Sequence, residues 1–290
     1  MIGRMAVTVV GAGVMGLTCA VALREAGFEV RVVARSEPIV SEVAGGLWLP
    51  YTTGDDARTL GWARATYLRL EAEGAALVDY LHLERVAPAW LEAVPPGRVR
   101  ELGPGRWSAR VPLVEMPRYL ASLRERAGDV REGSVESLDG DGDGAGVVVN
   151  CTGLAARRLA CDEDVVPVRG QVVYVRPRPG AVVPCVCDED SLTYVLPRPD
   201  VCVLGGTAQE GDTDTRVRDA DTADIVARCT RLVPELEGAE IVGARAGLRP
   251  LRRGGARVER AGDVVHCYGH GGAGLTLSWG CAAEVVALCG

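Results

Sequence analysis

The chain has 290 residues, of which 48% are hydrophobic, so it can bury a sizeable core as one large α/β unit or two closely joined domains. Its formal net charge of −7 argues against a nucleic-acid backbone as the partner. The N-terminus carries no signal-peptide cleavage pattern, and we read no apolar run of the roughly 20 residues that a bilayer span needs. We therefore expect a cytoplasmic protein without a membrane partner.

The first 34 residues predict a β-α-β unit. Val7 to Val10 is a short apolar run typical of a buried strand, and residues 14–26 have helical periodicity that ends at Gly27. Residues 29–34 predict the second strand.

A glycine motif joins the first strand to the helix, with the sequence Gly11-Ala12-Gly13-Val14-Met15-Gly16. In GxGxxG the first glycine allows a tight turn, the second lets the backbone approach a pyrophosphate, and the third lets helix and strand pack closely. The helix N-terminus then offers N–H groups to the anion. The motif predicts a dinucleotide site, with a purely structural turn as the alternative.

The end of the second strand leaves the type of dinucleotide open. The acidic residue that usually holds the ribose hydroxyls is missing from Ala34-Arg35-Ser36. Arg35 could meet the 2′-phosphate of NADP, or it could contact the adenosine of a flavin.

The rest of the chain alternates between two kinds of structure. Asp55-Asp56 predicts the start of a long amphipathic helix that runs to about Leu81. Strand-like runs at residues 171–176, 193–196 and 201–204 predict a separate antiparallel sheet. Residues 147–150 and 264–267 predict further buried strands, and a final helix is expected from about Leu275. Both ends of the chain would then form the nucleotide domain, with the middle inserted.

Neither the cysteines nor the acidic residues predict a metal site. The 10 cysteines lack a CxxC pair, so we expect buried free thiols. Residues 139–146 mimic the start of a calcium loop, but Asn150 stands where that loop needs a glutamate, which favours a plain turn.

Five blocks of sequence resemble the D-amino acid oxidase family, and they occur in family order: residues 44–51, 150–153, 169–171, 247–252 and 268–276. The resemblance implies FAD as the cofactor and an α/β fold, in which a Rossmann-like FAD-binding domain carries an inserted substrate-binding domain with a mixed or antiparallel sheet. We predict that residues 1–75, 130–165 and 245–290 form the FAD-binding domain. Residues 76–129 and 166–244 would form the substrate-binding domain.

The resemblance also implies roles for particular residues. Arg249 would grip the substrate carboxylate, Tyr194 would help to hold it, Tyr51 would stand beside the flavin, and the Gly272 carbonyl would receive the substrate amine. Other flavin-binding positions implied by the family are Gly45, Gly46, Leu47, Val135, Gly153, Gly274, Leu275 and Thr276. With the glycine motif, the predicted FAD site also includes Ala34, Arg35, Ser36, Ser41, Thr152, Gly271 and Gly272.

The implied reaction is hydride transfer from the α-carbon of a D-amino acid to flavin N5. The imino acid then hydrolyses to a 2-oxo acid and ammonia, and O2 reoxidises the flavin to give hydrogen peroxide. No general base is needed, so we expect the His270 ring to hydrogen-bond backbone near the flavin.

Departures from the family bear on the substrate. Asp190 stands where mammalian members carry a lid tyrosine, so no lid tyrosine is carried over, and whether a lid limits product release stays open. The shorter C-terminus leaves a homodimer open. A tyrosine at position 51, together with the acids at 188–190, favours neutral or apolar D-amino acids. The alternatives are a D-aspartate oxidase, a glycine or secondary-amine oxidase, an NADP-dependent dehydrogenase, and a flavin-binding module without activity.

Overall fold

The computed structural model describes residues 6–35, 39–50, 53–138 and 146–290. Its strands are β1 (Ala6–Val10), β2 (Glu29–Ala34), β3 (Ala76–Leu83), β4 (Val99–Gly103), β5 (Arg106–Leu113), β6 (Val130–Glu132), β7 (Val147–Asn150), β8 (Val165–Arg176), β9 (Cys185–Asp188), β10 (Thr193–Pro197), β11 (Cys202–Gly205), β12 (Gln209–Glu210), β13 (Glu240–Arg252), β14 (Arg257–Ala261) and β15 (Val264–Tyr268). Its α-helices are α1 (Val14–Glu25), α2 (Ala57–Ala72), α3 (Met116–Ala127), α4 (Ala156–Leu159), α5 (Asp219–Leu232) and α6 (Gly274–Cys289).

The first sheet carries the glycine motif. Its strand order is β14-β15-β7-β1-β2-β6, and all neighbours are parallel except β14 and β15. Strands β1 and β7 are almost wholly buried, as expected for parallel strands covered on both faces. The sheet therefore brings the carboxyl ends of β1, β7 and β15 to one edge, where nucleotides bind in such folds.

The second sheet forms the other layer. Its order is β12-β8-β11-β10-β9-β3-β5-β4, with β13 paired along β8. Most neighbours are antiparallel, but β3 and β9 are parallel, so the sheet is mixed. The predicted fold class, an α/β unit with an inserted mixed sheet, is confirmed.

The predicted end of the second long helix is wrong. Helix α2 starts after Asp56, whose carboxylate accepts hydrogen bonds from the backbone N–H groups of Arg58 and Thr59, but it stops at Ala72 rather than near Leu81. Gly74 has φ +85°, and the Ala75 N–H donates to the Leu70 carbonyl, which closes a glycine-terminated helix end. The following residues then form β3.

Sheet membership divides the chain differently from our domain prediction in two places. Residues 245–252 were assigned to the FAD-binding domain, yet they lie in β13, which pairs with β8 of the second sheet. Helix α3 was assigned to the substrate-binding domain, yet it packs against α1 and leads into β6 of the first sheet.

Helix α6 forms the centre of the first layer. Residues 271–289 are long and apolar enough to cross a membrane by length and composition alone, contrary to our sequence expectation, but 61% of that stretch is buried inside the fold. The helix packs against α1 and α2, and a Cβ added at Gly280 would overlap the backbone of Trp62 in α2. We therefore interpret α6 as a core helix, whose N-terminus points at the edge where β1, β7 and β15 end.

Candidate active site

A cavity of about 250 Å³ lies between the two sheets. The cavity extends from the N-terminus of α1 to Tyr194 and Arg249 on the second sheet, so its walls can meet an extended ligand such as a dinucleotide and a second molecule beside it. Its walls include predicted residues from both domains: Gly13, Val14, Met15, Ser41, Gly45, Gly46, Leu47, Gly153, Tyr194, Arg249, Gly271, Gly272, Gly274 and Leu275.

Two glycines of the motif serve close packing. Gly11 has φ +111°, a left-handed conformation that favours glycine, and a Cβ there would lie 2.9 Å from the carbonyl carbon of Cys151. A Cβ at Gly16 would overlap the backbone of Gly11. Neither glycine lines the cavity, and nor does Ala12. They hold α1 against the strand ends, as the motif predicts.

The middle glycine faces the cavity. A Cβ added at Gly13 would meet only the Ser41 hydroxyl, at 3.5 Å, so its open side is turned to the ligand space. Helix α1 begins at Val14 without a side-chain cap from Gly13, and the Val14 N–H donates to Ser41 Oγ at 3.1 Å. Apart from that bond, the described residues show no side-chain cap at this helix N-terminus, which with a glycine in front of it fits a pyrophosphate.

Several predicted cofactor residues lie away from the main cavity. Ala34 and Arg35 end the second strand, and Arg35 is exposed. Val135 packs beside Val10 under the edge of the first sheet. Their predicted contacts with the adenosine half of a dinucleotide stay predictions, while Ser36 and Tyr51 lie outside the described residues.

A second wall is formed by residues 44–50 and the start of α6. Gly46 has φ +75°, and a Cβ there would overlap the Val114 carbonyl oxygen, so glycine allows this close approach. Thr276 Oγ1 accepts from the Leu49 N–H at 3.1 Å and donates to the Leu49 carbonyl at 2.9 Å. Thr276 therefore does not line the cavity but fastens this wall to α6.

The N-terminus of α6 is also uncapped by a side chain and opens on the cavity. Gly271 and Gly272 form a 3₁₀ turn directly before it. The helix end offers a partial positive charge to an electron-rich ring edge. On the neighbouring loop, Gly153 lines the cavity, whereas the Thr152 N–H and hydroxyl both donate to Asn150 Oδ1.

The strand register puts the predicted substrate residues on one face of the second sheet. Tyr194 on β10 is paired with Cys187 on β9 and with Gly205 on β11, and Gly205 is paired with Val172 on β8. Paired residues in an antiparallel sheet share a face. Cys187, Tyr194 and Val172 accordingly all line the cavity.

Arg249 lies on the same face. It is paired with Val168 on β8, and alternate residues of a strand share a face, so Val168, Gly170 and Val172 point the same way. The Nη1 of Arg249 donates to the Thr207 carbonyl at 2.8 Å. The guanidinium is thus held at the cavity wall by the backbone.

Two glycines that the sequence analysis did not assign make room for these side chains. A Cβ at Gly170 would lie 2.5 Å from Cζ of Arg249, so the guanidinium lies directly over β8. A Cβ at Gly205 would lie 2.5 Å from Cε1 of Tyr194, so the phenol lies over β11. The two side chains therefore cross neighbouring strands toward each other along the cavity wall.

We expected the His270 ring to hydrogen-bond backbone, but its Nε2 atom does not do so. The side chain is buried and lines the cavity, yet Nε2 has no hydrogen-bond partner in the part of the chain that the structure describes. The ring therefore presents an unpaired nitrogen near the start of α6.

The cysteines are free thiols, as predicted, and nine of the ten are buried. Within the described residues, Cys19, Cys151 and Cys267 form a group whose sulfur atoms lie within 4.8 Å of one another. Burial and the neighbouring thiols raise the pKa of each well above its ordinary value, so these groups are neutral thiols. Our expectation that the chain holds no metal stays a prediction.

An ion pair supports the floor of the cavity. The Asp162 carboxylate accepts hydrogen bonds from Arg252 Nε and from the Tyr268 hydroxyl, each at 2.8 Å, and Tyr268 lines the cavity. Burial alone would raise the pKa of Asp162, but these bonds outweigh it and hold the pKa below its ordinary value. The ion pair of Asp162 therefore contributes to stability at pH values above about 3.9, the pKa of aspartate in the unfolded chain. This contribution is lost as the pH falls.

We expect Asp162→Asn to lower the free energy of unfolding by about 3 kcal/mol at pH 7. This value is at the lower end of the range for breaking a buried ion pair, because Arg252 is partly exposed. The difference from the wild type should shrink as the pH falls below about 4. Urea denaturation at several pH values measures it. Asp164→Asn is the matched control, because Asp164 is exposed and lies 3.8 Å from Arg252. Equal losses for both variants would contradict the assignment.

Comparisons with known proteins agree with this architecture. A family model described as FAD-dependent oxidoreductase (DAO) matches residues 6–100 and 82–288. The chain is 44% identical to a D-amino-acid oxidase of Rubrobacter xylanophilus, over 97% of this chain and 95% of that protein. It is 32% identical to human D-aspartate oxidase, over 97% and 94% of the two chains. The crystal structure of glycine oxidase from Bacillus cereus is similar with a TM-score of 0.81, at 20% identity, over 99% and 95% of the two chains.

Proposed function

This chain belongs to the family of FAD-dependent oxidoreductases, and we propose that it acts as a D-amino acid oxidase. One observation carries the proposal. The Arg249 guanidinium lies over Gly170 on the same cavity wall as Tyr194, beside a glycine-lined helix N-terminus that suits a dinucleotide. A carboxylate site next to a flavin site is what an amino acid oxidase needs.

FAD is the cofactor, and the described residues fit it. The pyrophosphate would be held at the N-terminus of α1, beside Gly13 and Ser41. The ring system would lie against Gly45, Gly46 and the start of α6. When bound, FAD supplies the acceptor for the hydride that leaves the substrate α-carbon.

The protein side of the reaction is binding and orientation. Arg249 offers two parallel N–H groups to the α-carboxylate, and Tyr194 adds its hydroxyl. The Gly272 carbonyl would accept a hydrogen bond from the amine. These three contacts hold the α-carbon in one pose, which accounts for selection of one enantiomer.

No side chain has to act as a general base at the α-carbon, because the hydrogen leaves as a hydride. The substrate amine must be neutral so that its lone pair can form the C=N bond as the hydride leaves. The imino acid then takes up water to give a 2-oxo acid and ammonia, and O2 takes the two electrons and becomes hydrogen peroxide. The overall reaction is D-amino acid + O2 + H2O → 2-oxo acid + NH3 + H2O2.

The wall beside Tyr194 bears on the side chain of the substrate. Leu192 and Leu196 supply apolar surface, and Glu189 is the carboxyl group that faces the cavity there. A second carboxylate on the substrate would be repelled by Glu189. We therefore propose neutral D-amino acids as substrates and reject D-aspartate as the main one.

We expect the purified protein to be yellow and to release peroxide with D-alanine, D-valine and D-leucine but not with their L-enantiomers. A peroxide assay with matched D and L pairs and D-aspartate tests this directly. Faster turnover of D-aspartate than of D-alanine would overturn the proposed substrate class. A colourless protein, or equal rates with L-amino acids, would overturn the proposed function.

A further inference from the structure

The turn between β9 and β10 is rich in acids, and most of them are engaged at the surface. Asp190 forms an ion pair with Arg85 at 3.1 Å, and Asp188 accepts a hydrogen bond from the Ser191 hydroxyl at 2.7 Å. The nearby Glu84 lies 2.9 Å from His82 Nε2. These three carboxylates thus have polar partners outside the cavity.

Glu189 differs from its neighbours because it lines the cavity. Its N–H donates to the Leu83 carbonyl at 3.0 Å, and its carbonyl accepts from the Leu192 N–H at 3.2 Å, so the backbone of the turn is fixed. Cys187, which is paired with Tyr194, has its thiol 3.6 Å from Glu189 Oε2. The carboxyl group therefore lies on the same side of the sheet as Tyr194.

The surroundings of Glu189 disfavour its negative charge. Burial raises the pKa of Glu189, and the charges of Glu84, Asp188 and Asp190 raise it further, while the Cys187 thiol only partly offsets them. Among residues 6–35, 39–50, 53–138 and 146–290, no arginine forms an ion pair with it. A weak thiol donor is a poor partner for a half-buried carboxylate.

We propose that Glu189 binds the cationic end of a substrate side chain, so that the enzyme accepts basic D-amino acids such as D-lysine and D-arginine. This inference rests on the proposed function, because it uses the same carboxylate site at Arg249, and it extends the proposed substrates from neutral to basic D-amino acids. The substrate would lie across the sheet, with its α-carboxylate at Arg249 and Tyr194 and its side chain pointing toward β9.

The strand spacing sets the length of side chain that fits. Tyr194 lies over β11, and β11, β10 and β9 are neighbours, so β9 is about two strand spacings, or roughly 10 Å, from β11. Only a long side chain spans that distance. Leu192 and Leu196 line the cavity beside Tyr194, and their apolar surface suits the methylene chain of the substrate.

The test compares D-lysine with D-norleucine, which has a similar chain length but no charge. We expect Glu189→Gln to lower the ratio of kcat/KM for D-lysine to kcat/KM for D-norleucine by about tenfold to a hundredfold, because a charge-assisted hydrogen bond is lost. Glu189→Asp, which keeps the charge on a shorter stem, should retain part of the ratio. The matched control is Asp190→Asn, since Asp190 is exposed and paired with Arg85; the ratio should not fall there, because losing the Asp190 charge favours the ionised form of Glu189.

The outcomes separate this inference from the proposed function. An unchanged ratio in Glu189→Gln overturns the role of Glu189, and so does a wild-type enzyme that oxidises D-norleucine but not D-lysine. If the wild type oxidises neither D-norleucine nor D-alanine, the proposed function itself fails. An equal loss of the ratio in Asp190→Asn would mean that the general acidity of the turn, not Glu189, sets the preference, and would also overturn the inference.

Discussion

Replacing Arg249 with alanine is expected to lower kcat/KM for D-alanine by about 10² to 10⁴-fold. The change removes two charge-assisted hydrogen bonds to the α-carboxylate, each worth about 1.5–3 kcal/mol. It also removes the group that fixes the α-carbon, so we expect both a higher KM and a lower kcat. Steady-state kinetics with D-alanine and D-leucine measures the loss.

Arg249→Lys is the conservative control for this experiment. Lysine keeps the charge but not the planar fork, so its activity should fall between that of the wild type and that of Arg249→Ala. The FAD content of each variant separates a lost substrate contact from a lost cofactor, because Arg249 is held on the second sheet by the Thr207 carbonyl and not by the glycine motif. Unchanged kinetics in Arg249→Ala with FAD fully bound would refute the assignment.

Replacing Gly170 with alanine is expected to lower kcat/KM by about tenfold to a hundredfold while the protein stays folded. The new Cβ would lie 2.5 Å from Cζ of Arg249, so the guanidinium has to move off β8. The end of an arginine side chain is flexible, so the cost in stability should be small, but a shift of about 1 Å at the carboxylate can cost a hundredfold in rate. Kinetics and thermal unfolding on the same preparation test both parts.

Gly243→Ala is the matched control for Gly170→Ala. Gly243 lies in β13, the strand that pairs with β8, but a Cβ there would meet no atom within 4 Å. We expect its kcat/KM to match the wild type. If both variants lose activity equally, or if Gly170→Ala keeps full activity, then the position of the guanidinium over β8 does not govern substrate binding.

The glycine motif and its flanking strands could be predicted because their signals are local. Strand β2 and strand β7 begin and end where the apolar runs do, and Gly27 marks the end of α1. Each glycine of the motif acts within a few residues or on an adjacent strand. The residues themselves could not choose between FAD and NADP, and only the resemblance to a family favoured FAD.

The ends of other elements depended on long-range pairing. Leu77, Val78 and Leu81 have a spacing that is compatible with an amphipathic helix, and we extended α2 to about Leu81. In the fold, residues 76–83 pair with β5 and β9, and the turn at Gly74 ends the helix before them. Neither partner strand is adjacent in sequence, so periodicity alone could not show this.

The substrate-binding residues of the cavity could be predicted, but the way in which the strands position them could not. Arg249 and Tyr194 were identified through the family resemblance, whereas the roles of Gly170 and Gly205 follow only from the register of β8, β11 and β13. Likewise, the sequence contains three successive acids at 188–190. Only the pairing of Cys187 with Tyr194 indicates which of them, Glu189, faces the cavity.

The most direct measurement is a crystal structure of the protein loaded with reduced FAD, with a D-amino acid bound under anaerobic conditions so that the substrate is not oxidised. We predict that both carboxylate oxygens lie within about 3 Å of the Arg249 guanidinium nitrogens and that the Tyr194 hydroxyl donates to one of them. A carboxylate bound elsewhere in the cavity, without a hydrogen bond from Arg249, would contradict the account.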